Sequence, residues 1–301
     1  MQRSLLEYIQ TRNPWIVVED RIRRFVRDYN ARFVYVLFSG GKDSAAVLAA
    51  ANSAVHDRMI VVYLHIVGNT HVDNVMAARS VAKRLGIDVV TIVARKETLT
   101  NDVRRIIDEH GAPLMLHVIV RTYREGLDFW SAIEHYGMPV PLERSHRGVR
   151  WCSSEFKEKW IKQLPRFNGR LLLISGVKAS DSWHRSRTSR LVRRDGSVVT
   201  LQPLVDMSDA DVWSMLYHYG IADIVRKQYD VWGHAPNCMI CPFMSIEKMK
   251  KSVRRMPTRL LQRILSSINK AKKKCKSVSC ELAEKMEMVI RAELERRGVT
   301  H

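Results

Sequence analysis

Short apolar runs alternate with helical stretches along the first two thirds of the chain. Buried strands, rich in β-branched and aliphatic residues, are predicted at 33–38, 59–66, 88–93, 171–176 and 198–202. Helices are predicted after the first strand, up to about Asn52, and over 74–85, where Gly86 is a typical stop. Strands that alternate with helices predict a doubly wound parallel sheet, a Rossmann-like α/β/α sandwich. Ligands of such sheets bind beyond the carboxyl ends of the strands.

Both ends of the chain differ from this alternating core. Residues 1–30 carry two helical stretches, and the pattern is helical throughout beyond Phe243. Ser208 and Asp211 have the spacing of an N-terminal capping box, so a helix is predicted to begin there. The predicted organisation is a helical lead-in at 1–30, an α/β domain at 31–243 and a helical appendage at 244–301.

One hexapeptide joins the first predicted strand directly to its helix. It reads Ser39, Gly40, Gly41, Lys42, Asp43, Ser44 and is called here the phosphate loop. Two glycines allow a tight turn and close approach of a ligand, and the N–H groups of the new helix attract an anion. The hydroxyls add donors and Lys42 adds a positive charge, so the loop predicts a phosphate site; the alternative is a Gly-Ser turn without a ligand. It is not a Walker loop, which needs four residues between its first Gly and Gly-Lys.

Composition fits one large α/β domain with a smaller appendage. The chain has 301 residues, 46% of them hydrophobic, which argues against a mainly disordered protein. No apolar run approaches the roughly 20 residues that span a bilayer, and no signal-peptide pattern opens the sequence. A cytoplasmic protein without membrane contact is therefore expected. Its cysteines are expected to be free or metal-bound rather than paired as disulfides.

Net charge is strongly positive and unevenly distributed. The formal net charge is +19, and residues 248–276 contain twelve Lys or Arg and no Asp or Glu. A segment that carries only positive charges indicates nucleic acid as a partner. The alternative is a solvated basic face. The candidate contacts are Lys248, Lys250, Lys251, Arg254, Arg255, Lys272, Lys273 and Lys274.

Three of the five cysteines are candidate metal ligands. Cys238 and Cys241 form a CxxC turn followed by proline, which directs two sulfurs to one metal, and Cys152 is placed to converge with them. Three thiolates suit a [4Fe–4S] cluster with one open iron. Zinc with His234 as fourth ligand is the alternative, and a CxxC redox pair is a third possibility. Cys275 and Cys280 are predicted to lie outside this centre.

A polar turn follows the second predicted strand. Asn69, Thr70 and Asp73 lie in it and are assigned either to ribose or metal contacts or to a helix cap.

The hexapeptide resembles the signature of the PP-loop ATP pyrophosphatases. Further motifs resemble the phosphoadenosine phosphosulfate (PAPS) reductase branch of that group, in the same order along residues 33–243. They are Arg-Trp-Cys at 150–152, the segment from Gly176 to Arg185, and the segment from Pro203 to Trp213.

This resemblance implies an adenine nucleotide, ATP or PAPS, with Mg²⁺. The implied nucleotide contacts are the phosphate loop together with Gly176, Lys178 and Arg185. Lys42 is implied to neutralise charge on the leaving pyrophosphate, and Asp43 to orient the loop or Mg²⁺. The chemistry implied is adenylation or sulfur transfer at the α-phosphate.

Two departures from the reductase pattern guide the functional hypothesis. Ser153 stands where cluster-bearing reductases have a second cysteine, and the sequence contains no E-C-G-L-H segment. The first hypothesis is therefore a sulfur-handling enzyme that acts on tRNA or DNA and uses a sulfur donor. The second is a PAPS or adenylyl sulfate reductase that uses a thiol reductant. The third is a non-catalytic nucleic-acid-binding protein.

Overall fold

The computed structural model describes residues 13–140, 150–181, 183–275 and 278–299. A seven-stranded sheet has the order β3-β4-β2-β1-β5-β7-β6. The strands are β1 (Val34–Phe38), β2 (Met59–Ile66), β3 (Asp88–Val93), β4 (Leu114–Val120), β5 (Leu171–Ser175), β6 (Val192–Asp195) and β7 (Val198–Leu201). β1 pairs in parallel with β2 and β5, β5 pairs in parallel with β7, and β6 is antiparallel to β7.

Helices fill the connections and the C-terminal region. They are α1 (Pro14–Asp28), α2 (Lys42–Val55), α3 (Val72–Arg84), α4 (Leu99–His110), α5 (Phe129–Tyr136), α6 (151–161), α7 (Trp183–Thr188), α8 (Asp209–His218), α9 (Ala222–Trp232), α10 (Ile246–Val253), α11 (Thr258–Lys272) and α12 (Val278–Arg296). Within α6, a π-helical turn over Ser154–Glu158 separates two short α-helical ends.

The sheet centre is buried because its strands are apolar on both faces. Val34 and Val36 of β1 are fully buried, as are most residues of β2. The alanine-rich helix α2 packs close to the sheet, with Ala45 to Ala51 all buried. These contacts fix the point at which β1 ends and α2 begins.

The strand order reverses next to β1. From β1 the chain moves to β2 on one side and returns to β5 on the other, so the loops after β1 and β5 lie at the topological switch point. Open α/β sheets bind their ligands in this crevice. The doubly wound fold with C-terminal helices is thus confirmed.

The five predicted strands are confirmed to within one or two residues. Two strands were not predicted, β4 and the exposed antiparallel edge strand β6. Within the predicted lead-in at 1–30, the structure describes one helix, α1, and residues 1–12 lie outside the described residues.

The chain folds into two compact units, each built from three segments. The first contains residues up to Leu64, Val75–Val118 and Gln163–Lys227, and includes most of the sheet. The second contains His65–Asn74, Ile119–Lys162 and the chain from Gln228 onward, and includes α10, α11 and α12. The boundaries at residues 30 and 243 stay a prediction.

The expectation of unpaired cysteines is wrong for one pair. Cys275 and Cys280 form a disulfide, with Cα atoms 5.2 Å apart. They flank the connection between α11 and α12, which brings them within bonding range. Cys152, Cys238 and Cys241 are free thiols.

None of the helices in the described ranges is both long and apolar enough to span a membrane.

The predicted capping box at the start of α8 is confirmed and fixes where that helix begins. Ser208 Oγ accepts from Asp211 N at 3.1 Å, and the Asp211 carboxylate accepts from Ser208 N at 2.8 Å. We expect Ser208→Ala to lower the free energy of unfolding by about 1 kcal/mol, measured by urea denaturation.

Ser214→Ala is the control, because Ser214 is exposed in the middle of the same helix. We expect this change to be neutral or slightly stabilising. Equal losses in both variants would contradict a capping role for Ser208.

Candidate nucleotide site and thiol centre

The phosphate loop makes its turn through one glycine in the left-handed region. Gly40 has φ +78°, and Gly41, in extended conformation, is the N-cap residue of α2. A side chain at position 40 would strain this backbone. The first N–H groups of α2 consequently open toward the end of β1, as a phosphate site requires.

The two serine hydroxyls brace the loop from within. Ser44 Oγ donates to Gly41 O at 3.0 Å and accepts from Ser39 N at 3.2 Å. Ser39 Oγ lies 3.1 Å from Ser44 Oγ. The loop is therefore held in its turned shape before any ligand arrives.

Gly176 is required because another backbone passes too close for a side chain. A Cβ at this position would lie 2.8 Å from the backbone carbon and oxygen of Asp43 and the nitrogen of Ser44. The segment after β5 therefore lies directly against the first turn of α2. This contact places the following residues beside the phosphate loop.

Lys178 is a second lysine beside the phosphate loop, and its side chain is buried. Its side chain is 1% exposed, and its ammonium lies 3.0 Å from Asp43 Oδ1 and 3.7 Å from Asp181 Oδ1. It also bonds to Asp209. Burial disfavours its charged form, but the bonds to Asp209 and Asp43 outweigh this and raise the pKa of Lys178. Lys178 therefore stays charged.

Asp209 joins the two lysines of the site. Its carboxylate bonds to Lys178 and lies 3.0 Å from Lys42 Nζ, which is also 3.0 Å from both oxygens of Asp43. The bond to Lys178, followed by the bond to Lys42, lowers the pKa of Asp209. Asp209 was not among the predicted site residues; its signal in the sequence was the position directly after the helix cap, Ser208.

Arg185 belongs to α7, but its side chain lies outside the described part of the chain. The structure therefore does not test it as a nucleotide contact.

The three candidate metal ligands lie within the second unit and influence one another. Burial raises the pKa of Cys152 to about 12, and the charges of Cys238 and Cys241 add to the rise. Burial likewise raises the pKa of Cys241 to about 11, with Cys238 adding to it. We call these three residues the thiol centre.

Cations surround the thiol centre. Lys157 and Arg150 act to lower the pKa of both Cys152 and Cys241, against the effect of burial. Burial lowers the pKa of Lys285 on α12, and the nearby Cys241 opposes that effect. Lys285 also donates to Pro242 O at 2.5 Å and Met244 O at 3.1 Å. These cations offset only part of the effect of burial, so Cys152 and Cys241 remain neutral thiols.

Several buried polar atoms of the second unit have no hydrogen-bond partner among the described residues. They are Asn69 Nδ2, Tyr136 Oη, Arg150 Nε, Trp151 Nε1 and His234 Nε2. Arg150 and Trp151 directly precede Cys152, and His234 precedes the CxxC turn. Yet no three His, Cys, Asp or Glu side chains in the described ranges are arranged so that they could hold a metal ion.

The candidate nucleic-acid contacts of residues 248–276 differ in whether they pair within the second unit. Lys272 pairs with Glu287 at 2.7 Å, and Lys274 donates to Glu134 O at 2.9 Å, so both are engaged within the second unit. Lys248, Lys251, Arg254 and Arg255 are exposed, and none has an acidic partner among the described residues. We call these four residues the α10 basic face; Lys250, by comparison, lies 3.9 Å from Glu247, and Lys273 is exposed.

The turned loop, the glycine contact and the paired lysines are the arrangement expected of an adenine-nucleotide-binding enzyme of the PP-loop class. A family profile described as phosphoadenosine phosphosulfate reductase domain matches residues 33–239, and the chain belongs to this family. No curated protein matches the sequence. Among solved structures, an NH3-dependent NAD synthetase from Campylobacter jejuni, in complex with the nitrate ion, is 10% identical over 96% of each chain. Its TM-score is 0.41.

The close contact at Gly176 predicts a strong effect of a single methyl group. We expect Gly176→Ala to displace the first turn of α2 and to weaken ATP binding at least tenfold, because a 2.8 Å contact with backbone atoms cannot be accommodated locally. Binding would be measured by calorimetry and stability by urea denaturation.

Gly220→Ala is the matched control. Gly220 has φ +66°, yet no atom lies within 4 Å of its Cβ position. We expect a loss of about 1 kcal/mol of stability and unchanged ATP affinity. Unchanged ATP affinity in Gly176→Ala would contradict the role of this contact.

Asp209 is predicted to compete with the nucleotide for the two lysines. Removing its charge should leave Lys42 and Lys178 available to phosphate, so we expect Asp209→Asn to bind ATP about tenfold more tightly. This gain in binding free energy is no larger than that of one charge-assisted hydrogen bond. Calorimetric titration with and without Mg²⁺ measures the effect.

Asp206→Asn is the control, because Asp206 pairs with Arg21 instead, at 2.6 Å. Its ATP affinity should equal that of the parent. Weaker ATP binding by Asp209→Asn, above all in Mg²⁺, would instead make Asp209 a partner of the bound nucleotide.

Proposed function

We propose that this chain binds ATP or a related adenine nucleotide at the phosphate loop and catalyses adenylation or sulfur transfer on a nucleic acid. The observation that carries the proposal is the pair of lysines, Lys42 and Lys178, held against the first turn of α2 by carboxylates. Two cations beside a helix N-terminus match the charge of a nucleotide's phosphates.

The residues of the loop have distinct proposed roles. The N–H groups of the first turn of α2 and the hydroxyls of Ser39 and Ser44 bind the terminal phosphates. Lys42 and Lys178 exchange Asp209 for phosphate and neutralise the charge that develops on the leaving pyrophosphate. Asp43, 3.0 Å from both lysines, keeps them in place or binds Mg²⁺. Gly176 lets these groups approach, and Arg185 is proposed as a further phosphate contact.

The thiol centre is proposed to hold a [4Fe–4S] cluster through Cys152, Cys238 and Cys241. The proposal is supported by the chemistry of the donor set: three cysteines belong to one unit, and burial raises the pKa values of Cys152 and Cys241, with cations and unpartnered donors in the same unit. When bound, a cluster with three protein ligands supplies an iron with an open position that can carry sulfide. Arg150, Lys157 and Lys285 would offset its negative charge.

Zinc is the alternative occupant, and His234 favours it. Its Nδ1 lies 3.0 Å from Trp232 O, which leaves the lone pair on Nε2. This Nε2 is buried without a partner among the described residues. Three thiolates and one imidazole are a common structural zinc set.

The α10 basic face is proposed to bind the nucleic-acid acceptor, tRNA or DNA. Its four exposed cations lack acidic partners among the described residues, whereas Lys272 and Lys274 are already engaged. Lys250 and Lys273 would add to its charge. A sulfonucleotide reductase that releases sulfite is the second candidate, and membership of the PAPS reductase domain family favours it.

The metal is tested by anaerobic purification, followed by an absorbance spectrum and by iron, sulfide and zinc analysis. We expect a brown protein with iron and acid-labile sulfide, and loss of both in a Cys238→Ser variant. The control is Cys275→Ser with Cys280→Ser, because these two residues pair with each other. One zinc per chain without iron would favour the alternative.

The acceptor is tested by the salt dependence of tRNA and DNA binding. Each phosphate neutralised contributes a log–log slope of roughly −0.7 to −0.9. We therefore expect simultaneous charge reversal of Lys248, Lys251 and Arg254 to flatten this slope and leave ATP affinity unchanged. Equal reversal at Lys83, Arg193 and Lys227, exposed cations of the first unit, is the control.

Two outcomes contradict the proposed acceptor. In the first, both charge-reversal variants bind nucleic acid as the parent does. In the second, the parent releases sulfite from PAPS in the presence of a thiol reductant and binds no nucleic acid at physiological salt, which would establish the reductase.

A further inference from the structure

The two edges of the sheet differ in their protection against pairing with another strand. β6 forms one edge, and its four residues are all exposed and include Arg193, Arg194 and Asp195. β3 forms the other edge, and its residues 89–93 are four β-branched apolar residues and one threonine. Charged side chains commonly protect a sheet edge, whereas an apolar edge readily pairs with another chain. β3 therefore lacks the protection that β6 has.

The apolar surface of β3 is only partly covered by its own chain. Val93 is 59% exposed and the three other apolar residues of β3 are half-buried, whereas the strands at the sheet centre are almost completely buried. Arg79 Nη2 donates to Thr91 Oγ1 at 2.8 Å, which places α3 beside β3. Met76, one turn before Arg79 on α3, is 59% exposed as well. An apolar surface along the free edge is thus left open to solvent.

The backbone limits how a second copy of the chain could pair with this edge. Every second residue of β3 directs its N–H and C=O groups to the free edge, so two antiparallel copies can oppose only residues that are both odd or both even in number. Centring the pair on Thr91 meets this condition. Thr91 then lies opposite Thr91 of the second copy, Val90 opposite Ile92, and Val89 opposite Val93. Opposed β-branched residues and opposed threonines stabilise antiparallel pairs.

The charges that flank β3 favour the same register. Asp88 comes opposite Ala94 of the second copy, and the next residues of that copy, Arg95 and Lys96, are positively charged. The two-fold axis repeats this contact at the other end of the pair. Centring the pair one residue earlier would instead place Asp88 opposite the apolar Ile92.

We propose that β3 is a homodimer interface, in which two copies of this chain pair their β3 strands antiparallel about a two-fold axis at Thr91 and join their sheets. The occupant is a second copy because the strand and its flanking charges are complementary to themselves. Each chain has one such edge, so association stops at two copies. β6 offers no equivalent, since pairing it with itself would oppose Arg193 or Arg194 to the same arginine. The inference is independent of the proposed chemistry.

The first test is sedimentation equilibrium of the full chain over a range of concentrations. The ionic strength is physiological or higher, because the net charge of +19 opposes association. We expect a reversible equilibrium between monomer and dimer. Val93→Lys places a charge opposite Val89 of the second copy, at both ends of the pair. We expect it to raise the dissociation constant of the dimer by about tenfold or more.

Val192→Lys is the matched control, because Val192 is an apolar residue of the other edge strand, β6, and is 37% exposed. Its dimer dissociation constant should equal that of the parent. Urea denaturation of both variants shows that each is folded.

A second test examines the register. In Thr91→Cys, the two introduced thiols face each other across the axis with Cβ atoms about 5 Å apart, so mild oxidation should join the copies by a disulfide. Val93→Cys is the control, because its two thiols are offset by four residues, roughly 13 Å along the strands. The parent under the same oxidation measures cross-linking through the native cysteines.

Three results would overturn the proposal. The first is a parent chain that stays monomeric at every concentration. The second is a dimer that Val93→Lys leaves intact, or that Val192→Lys weakens equally. The third is cross-linking of Val93→Cys as efficient as that of Thr91→Cys, which would exclude an axis at Thr91.

Discussion

A buried positive charge organises the nucleotide site. The ammonium of Lys178 lies below the surface beside the first turn of α2, and it needs carboxylates within reach to remain charged there. Three separate parts of the chain supply them, with Asp43 from the phosphate loop, Asp181 from the turn after β5, and Asp209 from the start of α8. The buried ammonium therefore links the phosphate loop, the turn after β5 and the start of α8.

The thiol centre has the opposite electrostatic character. Burial raises the pKa of Cys152 and of Cys241, so both are neutral thiols, and the neighbouring sulfurs add to the rise. Cations such as Arg150 and Lys157 reduce that rise only in part. A bound metal would supply the missing positive charge, since a coordinating thiol is deprotonated outright. The lysines of the first unit are thus charged and paired with carboxylates, whereas Cys152 and Cys241 of the second unit are neutral.

The sequence predicted those structural elements that depend on residues close together in the chain. The turn from β1 into α2, the capping box at Ser208 and five strands depend on neighbours in sequence, and each was predicted correctly. The apolar run of β4 carried an adequate strand signal, whereas the exposed β6 carried little. Gly176 was assigned by resemblance alone, and its physical role became evident only from the approach of Asp43 and Ser44.

Contacts between distant segments could not be predicted from the sequence. Asp209 looked like an ordinary residue of a helix start, and Asn69 fitted a helix cap as well as a ligand contact. Their partners lie 167 and 171 positions away for the contacts to Lys42 and Ile240. Ion pairs of the basic segment 248–276 could not be predicted either. The pair Lys272–Glu287, for example, engages a lysine that the sequence presents as a candidate nucleic-acid contact.

The interleaved second unit has a consequence for synthesis on the ribosome. Asn69, Thr70 and His71 emerge long before Pro236 to Ile240, the residues that they will bind. At 5–20 residues per second, the nascent turn waits roughly ten to thirty seconds for its partners. The first unit completes at Lys227, so its last segment leaves the ribosome before the cysteine loop. Cys152 emerges 86 residues before Cys238, so at the same rate it waits roughly four to seventeen seconds in an unfinished unit, exposed to the thiols, metals and oxidants around the nascent chain.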